Sequence, residues 1–102
     1  MIVIHASMPL NPEHREEALD HIEDLAETVR AEEEGTLEYR ATTDVEDPNV
    51  VRFFERYEDE GALGAHSQTD HYQAFAEMLP EWLAGEPTVV RFDVDEMAEL
   101  DL

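Results

Sequence analysis

Along residues 2–8 (IVIHASM) apolar side chains recur at every second position. Ile2, Ile4, Ala6 and Met8 share one side, and Val3, His5 and Ser7 the other. That is the period of a strand, and Pro9 stops it. The period then lengthens: Ala18, Leu19, Ile22, Leu25, Ala26 and Val29 form one stripe at helical spacing, the pattern of a helix lying on a core. Asn11-Pro12 offers a side-chain cap and a proline at the first helical position, and Glu13, Glu16 and Glu17 suit the positive end of the helix dipole. Gly35 is expected to close this helix in a left-handed conformation, with His14 and His21 on its wet side.

Thr36–Thr43 (TLEYRATT) returns to the strand period, with Leu37, Tyr39 and Ala41 on one side. Asp44–Asn49 (DVEDPN) is a turn by composition, so Val50–Tyr57 (VVRFFERY) should pair with it as a hairpin. Asp59, Glu60 and Gly61 break that run. A two-part helical region follows from about Glu60 to Leu83, interrupted near Ser67–Asp70. Asp70 is expected to cap its second part, and Pro80 to bend or end it. Gly85-Glu86-Pro87 is a turn. Thr88–Asp95 is the last strand, with Val90, Phe92 and Val94 facing one way and Val89, Arg91 and Asp93 the other.

The order strand, helix, strand, strand, helix, strand predicts a single α+β domain over residues 1–102. It is the ferredoxin-like βαββαβ pattern, an antiparallel four-stranded sheet with its helices on one face. The uncovered face is expected to carry Val3, Phe54 and Val89 beside Arg52, Arg56 and Arg91. Such a face suits a subunit interface better than a wet surface, so a homodimer with its sheets face to face is expected.

Charge changes the picture of partners. The chain has 27 acidic residues against 6 basic ones, all six arginine, for a formal net charge of −21. Phosphate recognition needs a basic patch, so no nucleic-acid partner is expected, and an anionic membrane surface is disfavoured likewise. Dense carboxylates repel one another at ordinary ionic strength, and molar salt screens that repulsion. The composition therefore points to a salty cytoplasm. There is no cysteine, hence no disulfide or thiolate site. Neither a secretory leader nor a membrane-spanning run is visible, and the expected location is cytoplasmic.

Most aromatic and histidine side chains fall on Val50–Phe75, VVRFFERYEDEGALGAHSQTDHYQAF. With Gly35-Thr36-Leu37-Glu38-Tyr39 upstream and Asp47-Pro48-Asn49 between, this stretch resembles the antibiotic biosynthesis monooxygenase family. The resemblance rests on Glu55 and Tyr57 at the strand end, then Ala62-Leu63, His66 and His71-Tyr72. It implies a dimeric α+β barrel. Several members of that family oxidise quinols or polycyclic phenols with molecular oxygen, using neither metal nor flavin, and others degrade haem. The polyketide-type members carry an Asn–Trp–Tyr set. Here Tyr57 stands where Trp is common, and no Asn lies on the first or third strand, Ser7 and Phe53 being nearest. The axial ligand of the haem-degrading members falls near Ala76, a turn beyond His71.

A cofactor-free oxygenase needs a base, an apolar slot for a flat ring and polarity for the developing anion. His66 and His71, flanking the helical break, are the candidate bases, with Tyr57 as a third catalytic candidate. Phe53, Leu63, Tyr72 and Trp82 are candidates for the ring slot, and Glu55 for orienting a histidine or arginine. Glu55 equally suits a cross-strand pair with Arg40 or Arg52. His66 equally suits a structural bond at the break, and His5 falls on the interface face. His66, Asp70 and His71 are metal-ligand types at no standard spacing, so neither metal nor other cofactor is expected. The expectation is a homodimeric monooxygenase acting on a quinol or other electron-rich aromatic with oxygen. The alternatives are a non-catalytic small-molecule-binding or stress-response protein and, behind it, a haem-degrading enzyme.

Overall fold

The computed structural model describes residues 1–102. Four strands, β1 (Ile2–Pro9), β2 (Thr36–Thr43), β3 (Val50–Tyr57) and β4 (Thr88–Asp93), form one antiparallel sheet in the order β2-β3-β1-β4. The helices are α1 (Arg15–Glu32), α2 (Glu60–Ser67) and α3 (Asp70–Trp82). The ferredoxin-like arrangement expected from the pattern is the one formed.

Local chemistry explains the element ends. Asn11 accepts from the backbone N–H of Glu13 at 3.1 Å, and Pro12 opens a short 3-10 turn that leads into α1. Asp59 caps α2 by accepting from Ala62 N–H at 2.9 Å. The cap of α3 is Thr69, whose hydroxyl accepts from Tyr72 N–H, while Asp70 is the first helical residue. Thr69 wins because its hydroxyl also donates to the carbonyl of His66 at 2.8 Å, tying the end of α2 to the start of α3. Pro80 lies inside α3, which runs on to Trp82. Only one helical bond is forfeited by its missing N–H, close to the helix end.

Gly35 has no positive φ. It is required for space: a Cβ there would lie 2.6 Å from the Cβ of Ala62. The chain leaving α1 thus passes against the first turn of α2, and only glycine permits that approach.

The core lies between the sheet and the helices. Ala18, Ile22, Leu25, Ala26 and Val29 from α1 meet Ala6, Met8, Val51, Phe53 and Tyr39 from the sheet, all less than a tenth exposed. Leu37 does not join them. A bulge between Thr36 and Glu38 breaks the alternation and leaves Leu37 48% exposed.

Strand register decides which residues share the uncovered face. Val3 pairs with Phe92 and Arg56, and His5 with Val90 and Phe54. Val90 and Phe92 therefore join Val3, His5 and Phe54 on that face. Val89 and Arg91 instead pair with Ala6 and Ile4 and so stand on the helix side, the reverse of the expected placement for these two. β4 also ends at Asp93, short of Val94.

Candidate functional site

A cavity of about 170 Å³ opens between the helix-side face of the sheet and the helices α2 and α3. Its sheet wall comprises Ile4, Ala6 and Met8 of β1, Tyr39 of β2, Phe53 and Glu55 of β3, and Val89 of β4. Its helix wall comprises Leu63, His66 and Ser67 of α2 with Tyr72, Phe75 and Leu79 of α3. Ten of these thirteen side chains are hydrophobic, so polar groups are few and specifically placed, as in ligand pockets generally.

His66 is 3% exposed. Its Nδ1 lies 2.9 and 3.0 Å from the two carboxylate oxygens of Glu33, the residue that follows α1. A carboxylate only accepts, so Nδ1 carries the hydrogen and the neutral ring presents Nε2 as a lone pair. Nε2 bonds no protein group, and no fully buried side-chain polar atom in the structure lacks a partner, so Nε2 keeps access to the cavity. The rings of Tyr39, Tyr57 and Tyr72 surround the imidazole at 5.3, 5.4 and 4.9 Å between centroids.

Glu33 has three donors. Besides His66 it accepts from Thr36 Oγ1 at 2.7 Å and from His71 Nε2 at 2.6 Å. Burial raises its pKa, but the hydrogen bonds from Thr36, His71 and His66 outweigh this and leave it below the usual carboxylate value. Glu33 is therefore ionised at neutral pH.

Glu55 is 9% exposed. Tyr57 donates its hydroxyl to Glu55 Oε1 at 2.5 Å. No arginine reaches Glu55. Arg52 pairs with Asp44 at 2.8 Å, Arg56 with Glu38 at 2.9 Å and Arg40 with Glu38 at 3.4 Å. Strand alternation explains this: Arg40, Arg52 and Arg56 point to the uncovered face and Glu55 to the cavity. Burial first, and then the charge of Glu33, push its pKa up to about 7, against the lowering effect of the Tyr57 bond. Burial likewise raises the ionisation of Tyr57 and Tyr39 well beyond the ordinary phenol range.

Phe53, Glu55, Leu63, His66 and Tyr72 are thus brought to one cavity, as the chain's pattern suggested. Tyr57 is fully buried and does not line the cavity; it bonds Glu55 and packs against His66, which do. His71 does not line the cavity; its Nε2 bonds Glu33 Oε2, an oxygen that His66 also contacts. Trp82 is elsewhere: its indole donates to Glu17 at 2.8 Å and its ring packs 5.0 Å from His21 and 6.1 Å from Phe75. It lies at the last turn of α3, beyond the part that lines the cavity. Asp70 does not join the two histidines, which converge on Glu33. Sequence reasoning passed over Glu33, one of three consecutive glutamates at the end of α1, and Tyr39 and Phe75, which read as ordinary core residues. Nothing in the local pattern singles out Glu33 from Glu32 and Glu34.

This geometry can be set beside known proteins. The antibiotic biosynthesis monooxygenase family profile matches residues 1–78. The chain belongs to the antibiotic biosynthesis monooxygenase family. It is 35% identical over 96 residues to the Bacillus subtilis protein named "Putative monooxygenase YcnE", covering 94% of this chain and 100% of that one. The crystal structure of a Caulobacter crescentus protein described as a putative antibiotic biosynthesis monooxygenase superposes with a TM-score of 0.88 at 29% identity, over 93% and 90% of the two chains. A conserved protein from Methanosarcina mazei superposes with a TM-score of 0.83 at 27% identity, over 89% of each chain. In this family member the matched region spans β1 through most of α3, and so contains every polar group of the cavity.

Proposed function

We propose that this protein is a cofactor-independent monooxygenase that oxidises a single-ring quinol or similar electron-rich phenol with molecular oxygen. The observation that carries the reading is the imidazole of His66, held by Glu33 with its second nitrogen open to an apolar, aromatic-lined cavity. Family membership and the name of the Bacillus subtilis relative agree with it.

The size of the cavity supports one ring. Apolar cavities of about 150 Å³ hold benzene, and the volume here is about 170 Å³. Nε2 of His66 removes the phenolic proton, and Glu33 stabilises the imidazolium that results. The phenolate transfers one electron to oxygen, and the radical pair combines to form a carbon–oxygen bond at a ring carbon. Loss of the hydrogen on that carbon breaks the oxygen–oxygen bond. A phenol and one oxygen molecule thus give a quinone and one water. The apolar walls lower the local polarity and so strengthen the charge interactions that drive the first step.

The uncovered sheet face, with Phe54 at 40%, Val90 at 41% and Phe92 at 50% exposure, supports assembly as a homodimer through that face. The net charge of −21 with no lysine supports adaptation to a salty cytoplasm. No helix is long and apolar enough to cross a membrane.

The test is oxygen uptake with a panel of single-ring quinols in concentrated salt. Wild-type turnover that falls at least about 10²-fold in His66→Ala supports the proposal. Tight quinol binding without oxygen uptake favours a non-catalytic binding protein. Haem handling is not favoured, because His71 is engaged by Glu33 off the cavity wall; a haem titration that shifts the Soret band would revive it.

A further inference from the structure

The oxygenation above moves two protons, one from the phenolic oxygen and one from the ring carbon. Resting on that reading, the geometry points to Glu55 as a second catalytic residue, the base that takes the ring-carbon proton.

Once oxygen has added to the ring carbon, that carbon is tetrahedral. Its peroxide lies on one face of the ring and its hydrogen on the other. A base that serves the peroxide cannot also reach the hydrogen. His66 of α2 belongs to the helix wall of the cavity and Glu55 of β3 to its sheet wall, and the proposal places the flat ring between them. These are the acid–base groups of the two walls, one on each.

Glu55 is built for such a role. Tyr57 occupies Oε1, which fixes the carboxyl plane. Oε2 bonds nothing, and since no fully buried polar side-chain atom is unpartnered, it too keeps access to the cavity. The surrounding elements leave it without a cation. Tyr39 of β2 stands opposite it in register, Ile4 of β1 on its other side, and Glu33 beyond the end of α1 adds a like charge. His66 and Tyr72 face it from α2 and α3. Arg91 of β4 is bound by Glu60 and Asp93. Without a salt bridge, and buried, the carboxyl titrates at about 7, where it can both accept and release a proton in the working range.

Imidazolium of His66 protonates the peroxide. Glu55 Oε2 takes the proton from the ring carbon, and the carbon–hydrogen electron pair becomes the second bond of the new carbonyl. The oxygen–oxygen bond breaks, the departing hydroxide is protonated by solvent and leaves as water, and Glu55 returns its proton to solvent.

The experiment compares wild type, Glu55→Gln and Tyr57→Phe on a single-ring quinol, with and without ring deuteration, and records quinone, water-coupled oxygen uptake and hydrogen peroxide. Glu55→Gln is expected to lower kcat about 10²-fold with little change in KM. It should also raise the ring-deuterium isotope effect and release peroxide in place of quinone. Tyr57→Phe, which keeps the carboxyl, should move the same readouts less, and covers the case in which Glu55→Gln fails to fold. In infrared difference spectra the wild type should show a protonated-carboxyl band that titrates near neutrality, responds to added 4-nitrophenol, and is absent from Glu55→Gln. An active wild type whose Glu55→Gln variant keeps full coupling and the same isotope effect, or that lacks this band, overturns the role of Glu55 alone. A wild type that takes up no oxygen with any quinol overturns the oxygenase reading and this one with it.

Discussion

Both oxygens of Glu33 lie within hydrogen-bonding distance of Nδ1 of His66, at 2.9 and 3.0 Å, although 33 residues separate the two in the chain. The contact sets the tautomer of the imidazole and the direction of its free nitrogen. Glu33→Gln replaces an obligate acceptor with a group that can also donate, so the ring loses its fixed orientation. Quinol-dependent oxygen uptake should fall about 10²-fold in kcat with a smaller change in KM. Steady-state kinetics of the variant check this, and full activity would show that Glu33 merely closes the loop after α1.

Glu33 and Glu55 should give stability opposite dependences on pH. Glu33 has a folded pKa below its unfolded one. Its contribution is present above the ordinary carboxylate range and is lost as pH falls through the folded value. Glu55 rises from 4.5 to about 7. Its contribution is complete below 4.5 and is lost as pH rises through 7, a change of about 3 kcal/mol. Denaturant midpoints at fixed salt should therefore fall between about pH 5 and about pH 8 in wild type. They should stay flat over that span in Glu55→Gln.

Gly35→Ala should destabilise the fold through a clash, since the new methyl would sit 2.6 Å from Ala62 Cβ. Overpacking of this kind costs about 1–3 kcal/mol. Ala62→Gly in the same chain should recover part of the loss. If the single variant matches wild type in thermal melts, the close approach of the two segments is not constraining.

Low salt should weaken the protein. With a net charge of −21, raising the salt from about 0.1 M to about 1 M shortens the screening length from about 10 Å to about 3 Å. The melting temperature should climb steeply over that range and then level off. A flat response would mean that the carboxylates are spaced widely enough to ignore one another.

Placing a charge on the open sheet face should separate subunits. Phe92 and Phe54 are half exposed on the face built by Val3, His5 and Val90. Phe92→Glu combined with Phe54→Glu should convert the proposed dimer to single chains in light scattering, without changing the far-ultraviolet spectrum. A wild type that already runs as single chains in brine removes the dimer.

Much of the architecture could be read from periodicity. The alternation in β1 and β3, the stripe of α1 and the Asn11-Pro12 start all reflect local rules, and the elements formed in the expected order, with ends that shifted by a few residues. The strand register of β4 could not be read. Val89 and Val90 are equally apolar neighbours, and one residue of slip exchanges their faces. Only pairing with β1 places Val89 at the cavity and Val90 on the open face. Leu37 was misplaced for a related reason, since a bulge leaves no mark in hydropathy.

The sequence by itself determined the elements, their order, the ferredoxin-like class and the histidine-bearing segment, because these follow from side-chain periodicity and from caps and breaks a few residues long. The tertiary structure alone decided which groups meet. It chose Glu33 over its two neighbours as the partner of His66, put Glu55 in the cavity and out of reach of every arginine, and took Trp82 away to Glu17. Those outcomes depend on where the end of α1 passes α2 and on how the strands align, distances set by packing between segments far apart in the chain.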